Sequence, residues 1–277
     1  MPATASATPR ILVFDSGVGG LSILAEIRAR LPHCALVYAS DNAAFPYGTK
    51  SEAVLVERVD KVLHRLLDRH PADIVVVACN SASTLALPRI RSRFSQPIVG
   101  VVPAIKPAAA LTKNRTIGLL ATPGTVARQY TSDLIRDFAP QCRVVSVGSS
   151  ELVQMAEDHL RGQAADPVAI RPIIEPLFDT TTQSPAPDVI VLACTHFPLL
   201  KPALAAAAPR PVTWVDSGAA IARRVRQLLG ARAGAGTLPN APRHLSLFTA
   251  DTDQVAALAP TLQAFHGGPA EIIDIPW

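Results

Sequence analysis

Short apolar runs punctuate the chain: ILVF from Ile11, ALVYAS from Ala35, IVVVA from Ile74, PIVGVV from Pro97, TIGLLA from Thr116, RVVSVG from Arg143, VIVLA from Val189, VTWVD from Val212, LSLFTA from Leu245 and EIIDI from Glu271. Branched and aliphatic residues dominate these runs, and each reads as a strand. Helical patterns lie between them, and strand alternating with helix is the rhythm of a parallel sheet covered on both faces. The stretch from Ser51 to His70 shows the helical half of that rhythm, with Val54, Leu55, Val59, Val62, Leu63, Leu66 and Leu67 on one stripe. Of these, Val62, Leu63, Leu66 and Leu67 are expected to sit on the sheet.

The pattern also repeats itself. ILVFDSGVGGL (Ile11 to Leu21) and IGLLATPGTV (Ile117 to Val126) both read strand, small-residue turn, helix. Each precedes a second repeat, DIVVVACNSA (Asp73 to Ala82) and DVIVLACTHF (Asp188 to Phe197), in which an apolar strand ends on a cysteine. The expected fold is therefore α/β, with two similar domains, each a mainly parallel sheet flanked by helices, and the active site in the inter-domain cleft. Residues 1–9 are expected to be a flexible extension, residues 10–102 with 216–277 the first domain, and residues 103–215 the second. Ligands of open parallel sheets gather at the C-terminal ends of the strands, where both cysteines fall. Gly17, Gly19 and Gly20, after the first strand, are expected to permit turns there and to bring backbone amides close to a ligand.

Composition narrows the class. With 277 residues, 49% hydrophobic and 17% charged, the chain can bury a sizeable core. No apolar run approaches the ~20 residues that span a bilayer, and MPATASATPR has no secretory pattern, so the expected location is the cytoplasm and no membrane partner is expected. The net charge of +4 favours anionic ligands slightly. Its densest clusters, RIRSR (Arg89 to Arg93) and RRVR (Arg223 to Arg226), lack interleaved aromatics, so nucleic acid is not expected as the main partner. Cys34, Cys79, Cys142 and Cys194 are too far apart in sequence for a tight zinc motif, and free thiols with no metal are expected.

The flanks of two cysteines carry the chemistry. A thiol that ends a buried strand is ordinarily a small hydrophobe, and Cys34 and Cys142 keep that reading. Asn80-Ser81 after Cys79 and Thr195-His196 after Cys194 place polar side chains beside the other two thiols. With a reference pKa near ~8.5, a thiol can serve as base or acid near neutrality, so two thiols at equivalent strand ends suggest racemisation or epimerisation. Asp15-Ser16 lies where a carboxylate and hydroxyl can hold an ammonium group or tune a thiol, or else cap a helix. A dinucleotide reading, with Asp41 as the ribose acid, fails because G-x-G-x-x-G would need glycine at Ser22. Phe45-Pro46-Tyr47-Gly48 is either a turn or a ligand-binding loop. Thr122 and Thr125 are either caps or a site for a carboxylate at a helix N-terminus. His196, two residues after Cys194, suits an acid/base or thiol-tuning role, the alternative being a structural histidine.

FDSGVGGLS (Phe14 to Ser22), YASDNAAFPYGTK (Tyr38 to Lys50), ACNSAS (Ala78 to Ser83), LACTHFPLL (Leu192 to Leu200) and VDSG (Val215 to Gly218) together resemble the glutamate racemases of the cofactor-independent aspartate/glutamate racemase superfamily. The resemblance implies interconversion of L- and D-glutamate for peptidoglycan precursors, without pyridoxal phosphate or metal, by a homodimer. It assigns Cys79 as the base towards D-glutamate and Cys194 as the base towards L-glutamate, with Asp15, His196 and Glu157 assisting. It places Asp15, Ser16, Tyr47, Gly48, Asn80, Ser81, Thr195 and His196 on substrate-binding positions. Glu157 comes from LVQMAE, where the family usually has proline at the place of Gln154, and Glu151 is the alternative. Ser81 stands where threonine is common and Phe197 where tyrosine is common. Aspartate or a hydantoin as substrate, and a binding protein that holds an amino acid without turning it over, are the competing readings.

Overall fold

The computed structural model describes residues 8–179, 185–233, 243–266 and 268–276. The expected flexibility of residues 1–9 falls, for residues 1–7, outside them. The chain divides into two compact units, Met1–Val101 with Gly218–Trp277, and Val102–Ser217.

In the first unit, the strands are β1 (Arg10–Asp15), β2 (Ala35–Ser40), β3 (Ile74–Val77) and β4 (Ile98–Gly100), and in the second β5 (Thr116–Ala121), β6 (Arg143–Gly148), β7 (Val189–Leu192) and β8 (Thr213–Val215). β9 (Leu245–Phe248) and β10 (Ala270–Ile272) return to the first unit, whose sheet order is β10-β9-β2-β1-β3-β4. Every pairing in it is parallel. Alternate residues point to opposite faces of a strand. Leu12, Phe14, Val37, Ala39, Val75, Val77 and Leu247 accordingly meet the helices Glu52–Arg69 and Asn80–Arg93 in one core. Ile11, Val13, Leu36, Tyr38 and Val76, out of phase with them, are also buried. The helices Leu21–Arg30 and Gly218–Leu229 pack against each other.

Helix Glu52–Arg69 buries Leu55, Val59, Val62, Leu63, Leu66 and Leu67 as the periodicity predicts, but Val54 is 46% exposed. At about 100° per residue, Val54 lies on the opposite flank of the stripe from Leu67, too far round to reach the core. Arg58 occupies the buried stripe instead. The last strand also differs from EIIDI: it spans Ala270–Ile272, the Ile273 amide makes a last bond to the Phe248 carbonyl, and the chain then leaves the ladder, with Ile273 and Ile275 buried in the core. There the carbonyls of Ile275 and Pro276 accept hydrogen bonds from Arg58 Nη1 at 3.0 and 3.1 Å.

The second unit repeats the design on a smaller scale, with order β6-β5-β7-β8 and parallel pairing throughout. Ile117, Leu119, Val189 and Val191 pack with Ile105 and Ala108 of the helix Ile105–Leu111. Gly118 lets the two central strands approach, since a Cβ there would stand 2.9 Å from Ile190 Cγ1. Among the described residues, no helix is long and apolar enough to cross a membrane, and no cluster of three or more histidine, cysteine or acidic residues could hold a metal ion.

Candidate active site

Within the first unit, the C-terminal ends of β1 and β3 bring Asp15, Ser16 and Cys79 together. Asp15 Oδ1 accepts from the Gly17 amide at 2.9 Å and from Ser16 Oγ at 3.4 Å, and Ser16 Oγ lies 3.8 Å from Cys79 Sγ. All three side chains are buried. Asp15 thus turns its carboxylate to the loop that follows its own strand. Gly20 φ is −60°, ordinary helical backbone, so the glycine is needed there for space: a Cβ would stand 2.8 Å from Asp15 Cβ. Cys79 is the N-cap residue of the helix Asn80–Arg93, whose positive end favours negative charge at that point.

Asn80 and Ser81 form the first turn of that helix and are buried. Asn80 Oδ1 has no hydrogen-bond partner among the described residues. A buried acceptor without a donor costs about 1 to 3 kcal/mol, so its position beside the thiol suits a ligand that brings an N–H or O–H.

Tyr47 is tied elsewhere. Its hydroxyl donates to Asp41 Oδ2 at 2.6 Å, and burial, reinforced by the Asp41 carboxylate, pushes the phenol well above its ordinary range, so it stays protonated. Asp41 also receives Arg58 Nε at 2.9 Å, Arg58 Nη2 at 2.7 Å and Thr249 Oγ1 at 2.7 Å. This network fixes the loop that carries Tyr47 and Gly48, the latter half-buried. It also occupies the acid that a dinucleotide ribose would need.

In the second unit, β7 delivers Cys194, Thr195 and His196, all buried. Cys194 Sγ lies 3.7 Å from His196 Nδ1, and His196 Nε2 lies 2.8 Å from Glu157 Oε1. The other carboxylate oxygen of Glu157 accepts from Arg161 Nη2 at 2.5 Å. Burial opposes an imidazolium at His196, but hydrogen bonds and charge from Cys194 and Glu157 outweigh it and raise His196 well above its ordinary value. A protonated His196 places positive charge beside Cys194 Sγ, where it stabilises a thiolate. Glu157 is 2% exposed on the helix Glu151–Leu160, whereas Glu151 faces solvent in its first turn. The structure therefore brings Glu157 to His196 and leaves Glu151 outside.

Thr122 caps the short helix Pro123–Ala127, its Oγ1 accepting from the Thr125 amide at 3.3 Å and donating to Thr125 Oγ1 at 2.9 Å. Both threonines are buried, at the C-terminal end of β5 next to β7. Phe197 is fully buried, so the place where the family often has tyrosine here receives an apolar ring. Arg161, Arg58 and Thr249 had escaped the sequence reading. Arg161 was findable as an i,i+4 partner of Glu157, and Arg58 as a charge on an otherwise apolar stripe.

Each unit thus places a buried thiol just after an inner strand with one polar side chain within 4 Å of the sulfur, a hydroxyl in one case and an imidazole in the other, and a carboxylate bonded to that side chain. Such groups can serve as acid and base. The family model for Asp/Glu/hydantoin racemases matches residues 21–225. The chain belongs to that family and is an amino-acid racemase, an isomerase. Its relatives narrow the class: it is 48% identical to the glutamate racemase of Serratia proteamaculans, over 95% of this chain and 90% of that protein. The crystal structure of Escherichia coli glutamate racemase, in complex with L-glutamate and the activator UDP-MurNAc-Ala, is similar with a TM-score of 0.90 and 46% identity, covering 98% of this chain and 100% of that one. Glutamate racemase isoform RacE1 from Bacillus anthracis is similar with a TM-score of 0.80 and 26% identity, covering 98% of each chain.

Proposed function

We propose that this protein interconverts L- and D-glutamate by proton transfer at the α-carbon between two cysteines, without a cofactor. The observation that carries the reading is the matched placement of Cys79 after β3 and Cys194 after β7, each buried and each with a polar partner beside its sulfur. Glutamate is the substrate that the relatives' names supply.

From L-glutamate, the Cys194 thiolate takes the α-proton while Cys79, as a thiol, gives its proton to the opposite face. The sulfurs exchange protonation states and the reverse turnover restores them. The mechanism requires both sulfurs at one carbon. Asp15 with Ser16, and His196 with Glu157, bias the two thiols, and protonated His196 supports the thiolate at Cys194. Asn80 Oδ1 suits the substrate ammonium, and the Ser81 and Thr195 positions and the hydroxyls of Thr122 and Thr125 suit its carboxylates. Tyr47 and Gly48 act through their loop, the phenol being committed to Asp41. Charge that develops on the carboxylate during deprotonation is stabilised by such fixed dipoles.

The cellular role that follows is supply of D-glutamate for peptidoglycan by a cytoplasmic homodimer. Incubated with glutamate in deuterium oxide without additives, the purified protein exchanges the α-hydrogen as it racemises. Turnover of aspartate equal to or above that of glutamate would replace the substrate, and absence of exchange in the folded protein would refute the reaction.

A further inference from the structure

At the N-terminal ends of β1, β2, β9 and β10, the edge of the first unit's sheet opposite to the ends that carry Asp15 and Cys79, lies a cavity of about 780 Å³. Its size falls within the roughly 300 to 1,000 Å³ of small-molecule sites. Arg10, Arg28, Arg243, His244, His266 and Glu271 give it its chemistry.

The lining carries three guanidinium groups and one carboxylate. Arg10 and Arg28 make no ion pair among the described residues, yet both are held in place. Arg10 Nη1 donates to the carbonyl of Pro71 at 3.3 Å, and Arg28 Nη1 donates to the carbonyls of Ala264, at 3.3 Å, and Phe265. Each guanidinium is thereby anchored through one nitrogen. Its remaining N–H groups have no partner among the described residues. A planar fork anchored in this way suits bidentate contact with an anion and loses little freedom on binding it.

Of the two histidines, one is internally satisfied and the other offers a donor, and neither adds charge. His266 is 4% exposed; its Nδ1 accepts from the Gly268 amide at 3.0 Å and its Nε2 pairs with Ser246 Oγ at 2.9 Å. Burial, then the neighbouring His244 and Arg28, hold its pKa at about 4, so the ring is neutral. His244 Nδ1 accepts from the Leu36 amide at 3.2 Å, leaving the proton of the neutral ring on Nε2. The wall behind them is close-packed, because a Cβ on Gly268 would stand 2.3 Å from the His244 carbonyl oxygen. Glu271 is exposed and supplies an acceptor; its charge partly opposes the burial that lowers the pKa of nearby His70.

We propose that this cavity binds a small organic phosphate, with the phosphoryl group held by Arg10, Arg28 and Arg243 and a hydroxyl-bearing remainder turned to Glu271. Three cations against one anion leave about two positive charges to be balanced, which matches the roughly −1.5 to −2 of a phosphoryl group at neutral pH better than a single carboxylate. Because this site lies at the far end of the strands, binding here does not depend on racemisation.

Calorimetric titration of the full chain at low ionic strength tests the proposal, with ribose 5-phosphate, inorganic phosphate, ribose and citrate as probes. Ribose 5-phosphate binds saturably, inorganic phosphate binds more weakly and competes with it, ribose does not bind, and citrate binds more weakly than ribose 5-phosphate. Arg28→Gln and Arg243→Gln each weaken binding at least fivefold. Arg28 also holds the helix Ala259–Phe265, so Arg243→Gln, an exposed residue, keeps the test decisive if Arg28→Gln fails to fold. Racemisation by Arg243→Gln stays at the unsubstituted rate, so that failure of the cavity proposal and failure of the racemase reading are separate results. Absence of saturable binding, undiminished binding in folded variants, equal affinity for inorganic phosphate, or tighter binding of citrate would each overturn it.

Discussion

His196 shows how much one side chain's partners decide. It is buried, which alone would strip its proton, but Cys194 on Nδ1 and Glu157 on Nε2 hold the proton instead. Its folded pKa is raised above the unfolded value. The stability it contributes is therefore fully present below about pH 6.5, the ordinary value for histidine, and is lost as pH rises through the raised folded value. The catalytic consequence has the same sign. Glu157→Gln removes one of the causes that hold the proton, so the alkaline limb of the kcat/KM profile moves to lower pH, and kcat/KM falls by roughly 10-fold to 100-fold as the imidazolium beside Cys194 is lost. A pH profile of the variant measures both. An unchanged alkaline limb would show that Glu157 does not act through His196.

At the scale of elements, the two central strands β3 and β7 carry the thiols, and the helices behind them keep those strands in place. Helix Glu52–Arg69 contributes Leu63, 0% exposed, to the core shared with β1 and β3. Leu63→Ala leaves a cavity there and lowers stability by about 2 to 5 kcal/mol, measurable by urea unfolding. Much of this level was legible from the order of residues. Ten apolar runs correspond to the ten strands found among the described residues, and the inner strands β2, β3, β5 and β7, buried on both faces, stay apolar without alternation. The edges were less legible. Apolar type alone puts Val54 on the stripe, whereas the angle around the helix puts it in solvent, and Arg58 is buried instead. The final strand is shorter than EIIDI because, after a last bond from the Ile273 amide to the Phe248 carbonyl, the chain serves Arg58 and the core.

At the scale of the whole molecule, the repeated strand, cysteine and polar pair could be read along the chain because each repeat is local in sequence. The groups that tune them could not be read so directly. Glu157 reaches His196 across 39 positions, and the Asp41 network draws on Tyr47, Arg58 and Thr249, the last 208 positions away. The basic cavity joins Arg10 and Arg28 to residues beyond Arg243, a grouping that only the return of β9 and β10 to the first sheet produces. The resemblance implies Asp15, His196 and Glu157 as assistants to the thiols, and Glu157 rather than the exposed Glu151 is the carboxylate beside His196.

The account rests on two thiols sharing one proton-transfer task. Cys79→Ser and Cys194→Ser, made separately, test it most directly when racemisation and glutamate binding are measured on the same preparations. Each variant is predicted to bind glutamate within a few-fold of the unsubstituted protein and to lose racemisation by about 100-fold or more, the typical share of a positioned acid or base. Racemisation at the unsubstituted rate by either variant would contradict the two-base mechanism.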